Sequence, residues 1–143
     1  MLEKIFEEIY FYFDEELVRR AETLFYMQDM SKISINHIEY LEVIQNMEKP
    51  TLSDIAMELT FSKPSVTFMV NKLIEQGLVK KVRSEADKRV FYVELTELGK
   101  LLIEIQLNIY RDFAKNLEKI LGNEEVEILA GLLNKGLRAV KGK

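Results

Sequence analysis

The side chains best suited to chemistry lie in two short runs near the middle of the chain. In the first, Ser62-Lys-Pro-Ser-Val-Thr-Phe-Met-Val-Asn-Lys72, take Val66, Val70 and Leu73 as the inward stripe of a helix. Pro64, Phe68, Asn71 and Glu75 then face away, with Ser65 and Lys72 on one flank and Thr67 on the other. Ser65, Thr67 and Asn71 offer hydrogen bonds to base edges or phosphates, and Lys63 and Lys72 bring positive charge. Phe68 is open to two readings: it packs under the hairpin or a neighbouring helix, or it touches a thymine methyl. The second run, Ser84-Glu-Ala-Asp-Lys-Arg89, sets Lys88 and Arg89 on a polar tip. Such a tip beside a groove helix reaches the adjacent minor groove, where an arginine senses width and negative potential. Asp87 is close enough to pair with Arg89. The pair either aims the guanidinium or is an ordinary solvated turn contact, worth at most about 1 kcal/mol.

Other chemistries lack their residues. The chain has one histidine and no cysteine, which excludes disulfides, cysteine zinc sites and thiol redox switches. There is no Ser/His/Asp set and no phosphate loop, and His37 has no identifiable catalytic partner. Adjacent acids such as Asp14-Glu15-Glu16 and Glu124-Glu125 read as helix-surface charge. No enzyme activity, cofactor or metal is expected.

Charge placement favours the same middle segment. The 143 residues carry a net charge of −4, yet residues 62–92 hold seven bases against three acids. A local basic patch on an acidic body suits a DNA-binding module with a separate assembly region, although a solvated hairpin would gather lysine and arginine too. With 48% hydrophobic and 31% charged residues the mixture is globular, one domain or one domain with an extension. Acids within the first ten residues fit neither a signal peptide nor a membrane span, so a cytoplasmic protein without a membrane partner is expected.

The elements that position these residues are mostly helical, since two prolines and six glycines leave few breaks. Over residues 1–29, Leu2, Ile5, Phe6, Ile9, Phe13, Leu17 and Leu24 keep helix spacing. Tyr10, Phe11, Tyr12, Phe25 and Tyr26 widen that stripe, so this helix needs cover on more than one side. Ser34 caps a second helix that ends before Pro50. Thr51-Leu-Ser-Asp54 is a capping-box variant opening a short helix, and Thr60-Phe61 is the turn. Ser62 caps the next helix, with Pro64 tolerated in its first turn and Gly77 ending it. The β-rich runs 78–83 and 90–95 then form an antiparallel hairpin. Thr96 caps a long helix ended by Gly122, and Asn123 caps the last, whose stripe is Val126, Leu129, Leu133, Leu137 and Val140.

Helix, short turn, helix and two-stranded hairpin make a winged helix-turn-helix. At this point the sequence resembles the MarR family of transcription regulators. Asp87-Lys-Arg89-Val-Phe-Tyr-Val-Glu-Leu95-Thr96 matches that family's wing pattern D-x-R-x5-L-T and is followed by Glu97-Leu-Gly99. Leu52-Ser-Asp-Ile-Ala56 and Ser65-Val-Thr67 through Gly77-Leu-Val79 follow its helix-turn-helix pattern. The resemblance implies a mainly α fold with a small β-hairpin wing. Residues 34–96 would be the DNA-binding region, and residues 1–33 and 97–143 would form a helical dimerisation region.

It further implies a homodimer on palindromic double-stranded DNA, commonly a repressor that releases DNA when a small ligand binds. Lys63, Ser65, Thr67, Phe68, Asn71 and Lys72 fall to the major groove. Asp87, Lys88 and Arg89 fall to the minor groove, and Thr51, Ser53 and Arg83 to the DNA backbone. An anionic or lipophilic effector would sit among Phe13, Leu17, Met30, His37 and Tyr40, residues that equally suit a plain core. His37 would sense pH, donate to an anionic ligand, or simply be exposed or hydrogen-bonded near a helix N-terminus. Three departures stand out: Thr60 where relatives commonly have glycine, Phe68 where they often place a basic residue, and no cysteine for peroxide sensing. The alternative is a winged-helix module for protein contacts, with no operator of its own.

Overall fold

Helix boundaries fall where the sequence supplies caps. The computed structural model describes residues 1–24, 30 and 32–142. Its elements are α1 (Leu2–Leu24), α2 (Ile35–Asn46), α3 (Leu52–Leu59), α4 (Lys63–Glu75), β1 (Val79–Arg83), β2 (Phe91–Leu95), α5 (Glu97–Ile120) and α6 (Asn123–Lys141). The first helix was expected to run to residue 29. It is described to Leu24, and Phe25 and Tyr26 lie outside the described residues. The chain divides into two compact units, residues 1–107 and 108–143.

In the first unit, Leu17, Leu41, Ile55, Val66, Val70, Leu73, Leu78 and Leu102 are fully buried and form the core. The start of α2 is held from α1: the Ile35 backbone N–H donates to the Asp14 carboxylate at 3.0 Å. Asp14 is therefore not mere surface charge. It satisfies one of the orphan N–H groups at a helix start, where the helix dipole also favours an anion. The strands pair antiparallel, with Val79 opposite Leu95, Lys81 opposite Val93 and Arg83 opposite Phe91. The Val93 N–H donates to the Pro50 carbonyl at 2.8 Å, fastening β2 to the segment that leads into α3.

Gly99 explains the close seat of α5 on the hairpin. A Cβ there would lie 2.2 Å from the Leu78 carbonyl oxygen, so only glycine fits. Thr96 secures the same junction, accepting the Gly99 N–H at 3.2 Å and donating its hydroxyl to the Gly77 carbonyl at 2.6 Å. α1 leaves Leu2, Ile5, Phe6, Tyr10, Phe11 and Tyr12 exposed along its length.

In the second unit, the expected cap of the last helix is displaced by one residue. Gly122 is the N-cap and Asn123 already helical, because the Glu125 carboxylate reaches back to accept the Gly122 N–H at 2.9 Å. α6 buries none of its residues, and Leu132, Leu133, Leu137 and Val140 are exposed.

Candidate nucleic-acid interface

The interface is built from local capping upward. Thr51 and Asp54 form a reciprocal box: the Thr51 hydroxyl accepts the Asp54 N–H at 3.2 Å, and the Asp54 carboxylate accepts the Thr51 N–H at 2.9 Å. The two hydrogen bonds from Thr51, its backbone N–H first, hold the Asp54 carboxyl below its ordinary pKa. α3 stops at Thr60, which takes the left-handed conformation at φ 55° and ψ 34°. This is the steric cost the missing glycine implied, and it turns the chain sharply into α4. Ser62 caps α4, its hydroxyl accepting the Ser65 N–H at 3.4 Å. At the far end Gly77 has φ 73°, with Gly77 N–H to the Ile74 carbonyl and Leu78 N–H to the Leu73 carbonyl, both 2.9 Å. That is a Schellman cap.

α4 buries the expected stripe, since Val66, Val70 and Leu73 are completely covered. Its opposite face presents Ser65, Phe68, Asn71 and Lys72 to solvent. Phe68 is 63% exposed, so the reading that packs it under a neighbour is overturned. Lying about 160° around the helix from both Val66 and Val70, it has no core to enter. The Lys72 ammonium stands over its ring, 5.0 Å from the centroid. Thr67, half-buried, spends its hydroxyl hydrogen on the Lys63 carbonyl at 2.9 Å, leaving an acceptor lone pair and a methyl for any ligand. Ser65 keeps its own hydroxyl hydrogen while accepting one from Ser62 at 2.8 Å.

The wing tip is folded around Ser84, which is buried and accepts the Asp87 N–H at 3.3 Å. Asp87 then grips Arg89 three times: Nε at 3.1 Å, a terminal nitrogen at 3.1 Å, and the backbone N–H at 3.0 Å. The guanidinium side chain is nevertheless 91% exposed. First the side-chain bonds from Arg89, then its backbone N–H, hold the Asp87 carboxyl below the usual range. The guanidinium is therefore held by the carboxylate while remaining open to solvent. Lys88 is exposed beside it.

Between the start of α3, the start of α4 and the wing lies a cleft of about 260 Å³, bordered by Thr51, Ser53, Lys63, Lys81, Arg89 and Phe91. It brings Thr51, Ser53 and Lys63 together with Arg89. Lys81 and Phe91 also border this cleft, and the sequence reading did not name them among its contacts. Alternation along β1 puts Lys81 and Arg83 on one face, and pairing puts Phe91 opposite Arg83, whose guanidinium sits 5.2 Å from that ring.

The five residues named for an effector lie near the junction of α1 and α2. Leu17 and Met30 are fully buried, Tyr40 is 5% and His37 8% exposed, and Phe13 is half-buried. His37 is hydrogen-bonded: Nδ1 accepts the Ser34 N–H at 3.2 Å and lies 2.8 Å from the Ser34 hydroxyl. Burial, then the Lys72 charge, push its pKa down, with Asp14 pulling the other way. Burial and then the Glu39 charge push the Tyr40 phenol up, and its ring lies 6.1 Å from that of Phe61.

Comparison with known proteins bears on this geometry. The MarR family model matches residues 33–91. The transcriptional regulator MhqR of Bacillus subtilis is 29% identical over 114 residues, covering 76% of this chain and 77% of that protein. The organic hydroperoxide resistance transcriptional regulator of the same organism is 33% identical over 92 residues, 63% of each chain. Among solved structures, Streptococcus pneumoniae FabT in complex with DNA aligns with a TM-score of 0.66 at 24% identity, covering 99% of both chains. The YusO protein of Bacillus subtilis aligns with a TM-score of 0.73 at 18% identity over 96% of this chain and 93% of its own. The capped helix-turn-helix and the D-x-R wing agree with these matches: over residues 33–91 the chain matches the MarR family.

Proposed function

We propose that this protein is a sequence-specific double-stranded-DNA-binding transcriptional regulator that works as a homodimer on palindromic operators, as a ligand-responsive repressor. The observation that carries the reading is the Asp87–Arg89 fork, an exposed guanidinium held in one direction at the end of a wing. An arginine ordered in this way loses little freedom on entering a narrow, negatively charged minor groove. α4 would lie in the neighbouring major groove, about 12 Å wide and matched to a helix. There Ser65, Thr67, Phe68 and Asn71 meet base edges, while Lys63 and Lys72 meet phosphates. Lys88 supports the wing contact. Thr51, Ser53 and Arg83 meet the DNA backbone, and Lys81 adds charge to the same cleft. The solved complexes of FabT and of Staphylococcus aureus MepR with DNA lend support from the same fold.

Residues 1–33 and 97–143 would assemble the dimer. The exposed apolar faces of α1 and, separately, of α6 are surface that a lone chain would leave in water. An anionic or lipophilic effector among Phe13, Leu17, Met30, His37 and Tyr40 would act only through unequal affinity for DNA-bound and free arrangements. Selection from random duplexes, with sedimentation of the free protein, tests the reading. A two-fold symmetric winning site, a dimer in solution, and lowered output from a reporter behind that site are the expected results. A monomer, or no enriched sequence, would overturn it.

A further inference from the structure

Phe68 is costly to leave where it is. Phe68 leaves 63% of its surface in water, and it is the one aromatic ring on a helix whose other exposed residues are Lys63, Pro64, Ser65, Asn71, Lys72 and Glu75. It sits opposite the buried stripe, so no rotamer returns it to the core. The ring is also held, because Lys72 one turn later places its ammonium 5.0 Å from the centroid. The couple presents an apolar surface on the exposed face of α4, with a cation beside it.

We propose that the Phe68–Lys72 couple reads the C5 methyl of a pyrimidine in the major groove. This rests on the reading that places α4 in that groove. The C5 methyl is the one apolar group that base pairs present there, and thymine and 5-methylcytosine both carry it. A neighbour such as Asn71 reads hydrogen-bonding edges and cannot sense it. Lys72 brings positive charge beside the ring, which draws the helix towards phosphates. The protein's choice of operator therefore turns on a methyl group, which thymine supplies and 5-methylcytosine also carries.

The test uses the intact protein and the duplex obtained by selection. Each thymine is replaced singly by deoxyuridine, which removes the methyl and preserves every hydrogen-bonding group. The wild type should lose about fourfold in affinity at one position per half-site, the loss expected for one buried methyl. Phe68→Ala should lose nothing further there. Phe68→Leu, which keeps an apolar surface, should show an intermediate response and serves the same purpose if alanine abolishes binding. In the other arm, the sensitive T·A pair is changed to C·G and then to 5-methylcytosine·G. Recovery of affinity on methylation extends the reading to methylated cytosine, and no recovery assigns it to thymine alone. Wild-type indifference to every deoxyuridine, or an equal loss in the Phe68 variants, would overturn the methyl reading while leaving DNA binding intact. Failure to select any duplex would instead bring down the DNA reading beneath it.

Discussion

Replacing Gly99 with alanine sets two effects of opposite sign against each other. Helix propensity alone makes Gly99→Ala stabilising by at most about 1 kcal/mol. The structure says otherwise, because the new Cβ would come within 2.2 Å of the Leu78 carbonyl oxygen and 3.2 Å of its carbon. Relief requires the start of α5 to retreat by about 1 Å from the hairpin, since both groups are main-chain or tied to it. That retreat strains the Thr96 N–H bond to the Leu78 carbonyl at 3.0 Å and the Thr96 hydroxyl bond to the Gly77 carbonyl at 2.6 Å. Two weakened hydrogen bonds cost about 1 kcal/mol each, and overpacking adds about 1–3 kcal/mol. The net expectation is a loss of about 2–4 kcal/mol, or roughly 7–13 °C in Tm for a chain of this size. Chemical and thermal denaturation at one protein concentration read it directly. Gly131→Ala is the comparison: its Cβ meets nothing of its own chain within 4 Å, so helix propensity predicts a rise in stability. A neutral or stabilised Gly99→Ala would refute the close approach and with it the seat of α5 on the wing.

Thr60→Gly should stabilise by about 0.5–1 kcal/mol, the left-handed strain relieved less the entropy glycine adds to the unfolded chain; an unchanged denaturation midpoint contradicts the strain. Asp14→Ala should cost about 1 kcal/mol by stripping the Ile35 N–H of its acceptor, and Asp14→Asn should recover part of it in the same assay. His37 binds its proton less tightly in the folded protein than in the unfolded chain. Stability should therefore be level above the ordinary histidine value of about 6.5 and fall as pH drops below it towards the lowered folded value. His37→Gln keeps an acceptor for Ser34 without titrating, so its profile should be flatter between pH 7 and 5. Arg89→Ala should weaken operator binding by about 1–3 kcal/mol and leave the dimer intact by sedimentation.

The parts of the fold that could be read in the sequence are those set by neighbours in the chain. The Thr51–Asp54 box, the Ser62 cap with Pro64, and the Gly77 terminus each involve residues within a turn of one another. The structure has all three. The inward stripe of α4 was legible from periodicity, and so was the opposite face, exposed at Ser65, Phe68, Asn71 and Lys72 and half-buried at Thr67. Periodicity does not say whether a second layer covers the far face, which is why Phe68 stayed open between two readings. Asp14 escaped because its partner is 21 residues away. Lys81 and Phe91 escaped because their shared cleft depends on cross-strand register, which the hairpin sequence leaves free by a residue or two. Gly99 belonged to a motif whose reason appeared only with the Leu78 carbonyl facing it. At Gly122 and Asn123 two adjacent residues both make acceptable caps, and the reach of Glu125 decides between them.

The measurement that tests the account most directly is fluorescence anisotropy of a selected operator duplex and its scrambled counterpart, titrated with the protein across salt concentration. Operator reading predicts tighter binding to the selected duplex, with log affinity falling linearly against log salt at a slope of about −0.9 per phosphate neutralised. Lys63→Ala, which removes a phosphate contact, should reduce the magnitude of that slope by about one. Equal, weak binding to both duplexes that hardly changes with salt would contradict the account and assign the winged helix to protein contacts instead.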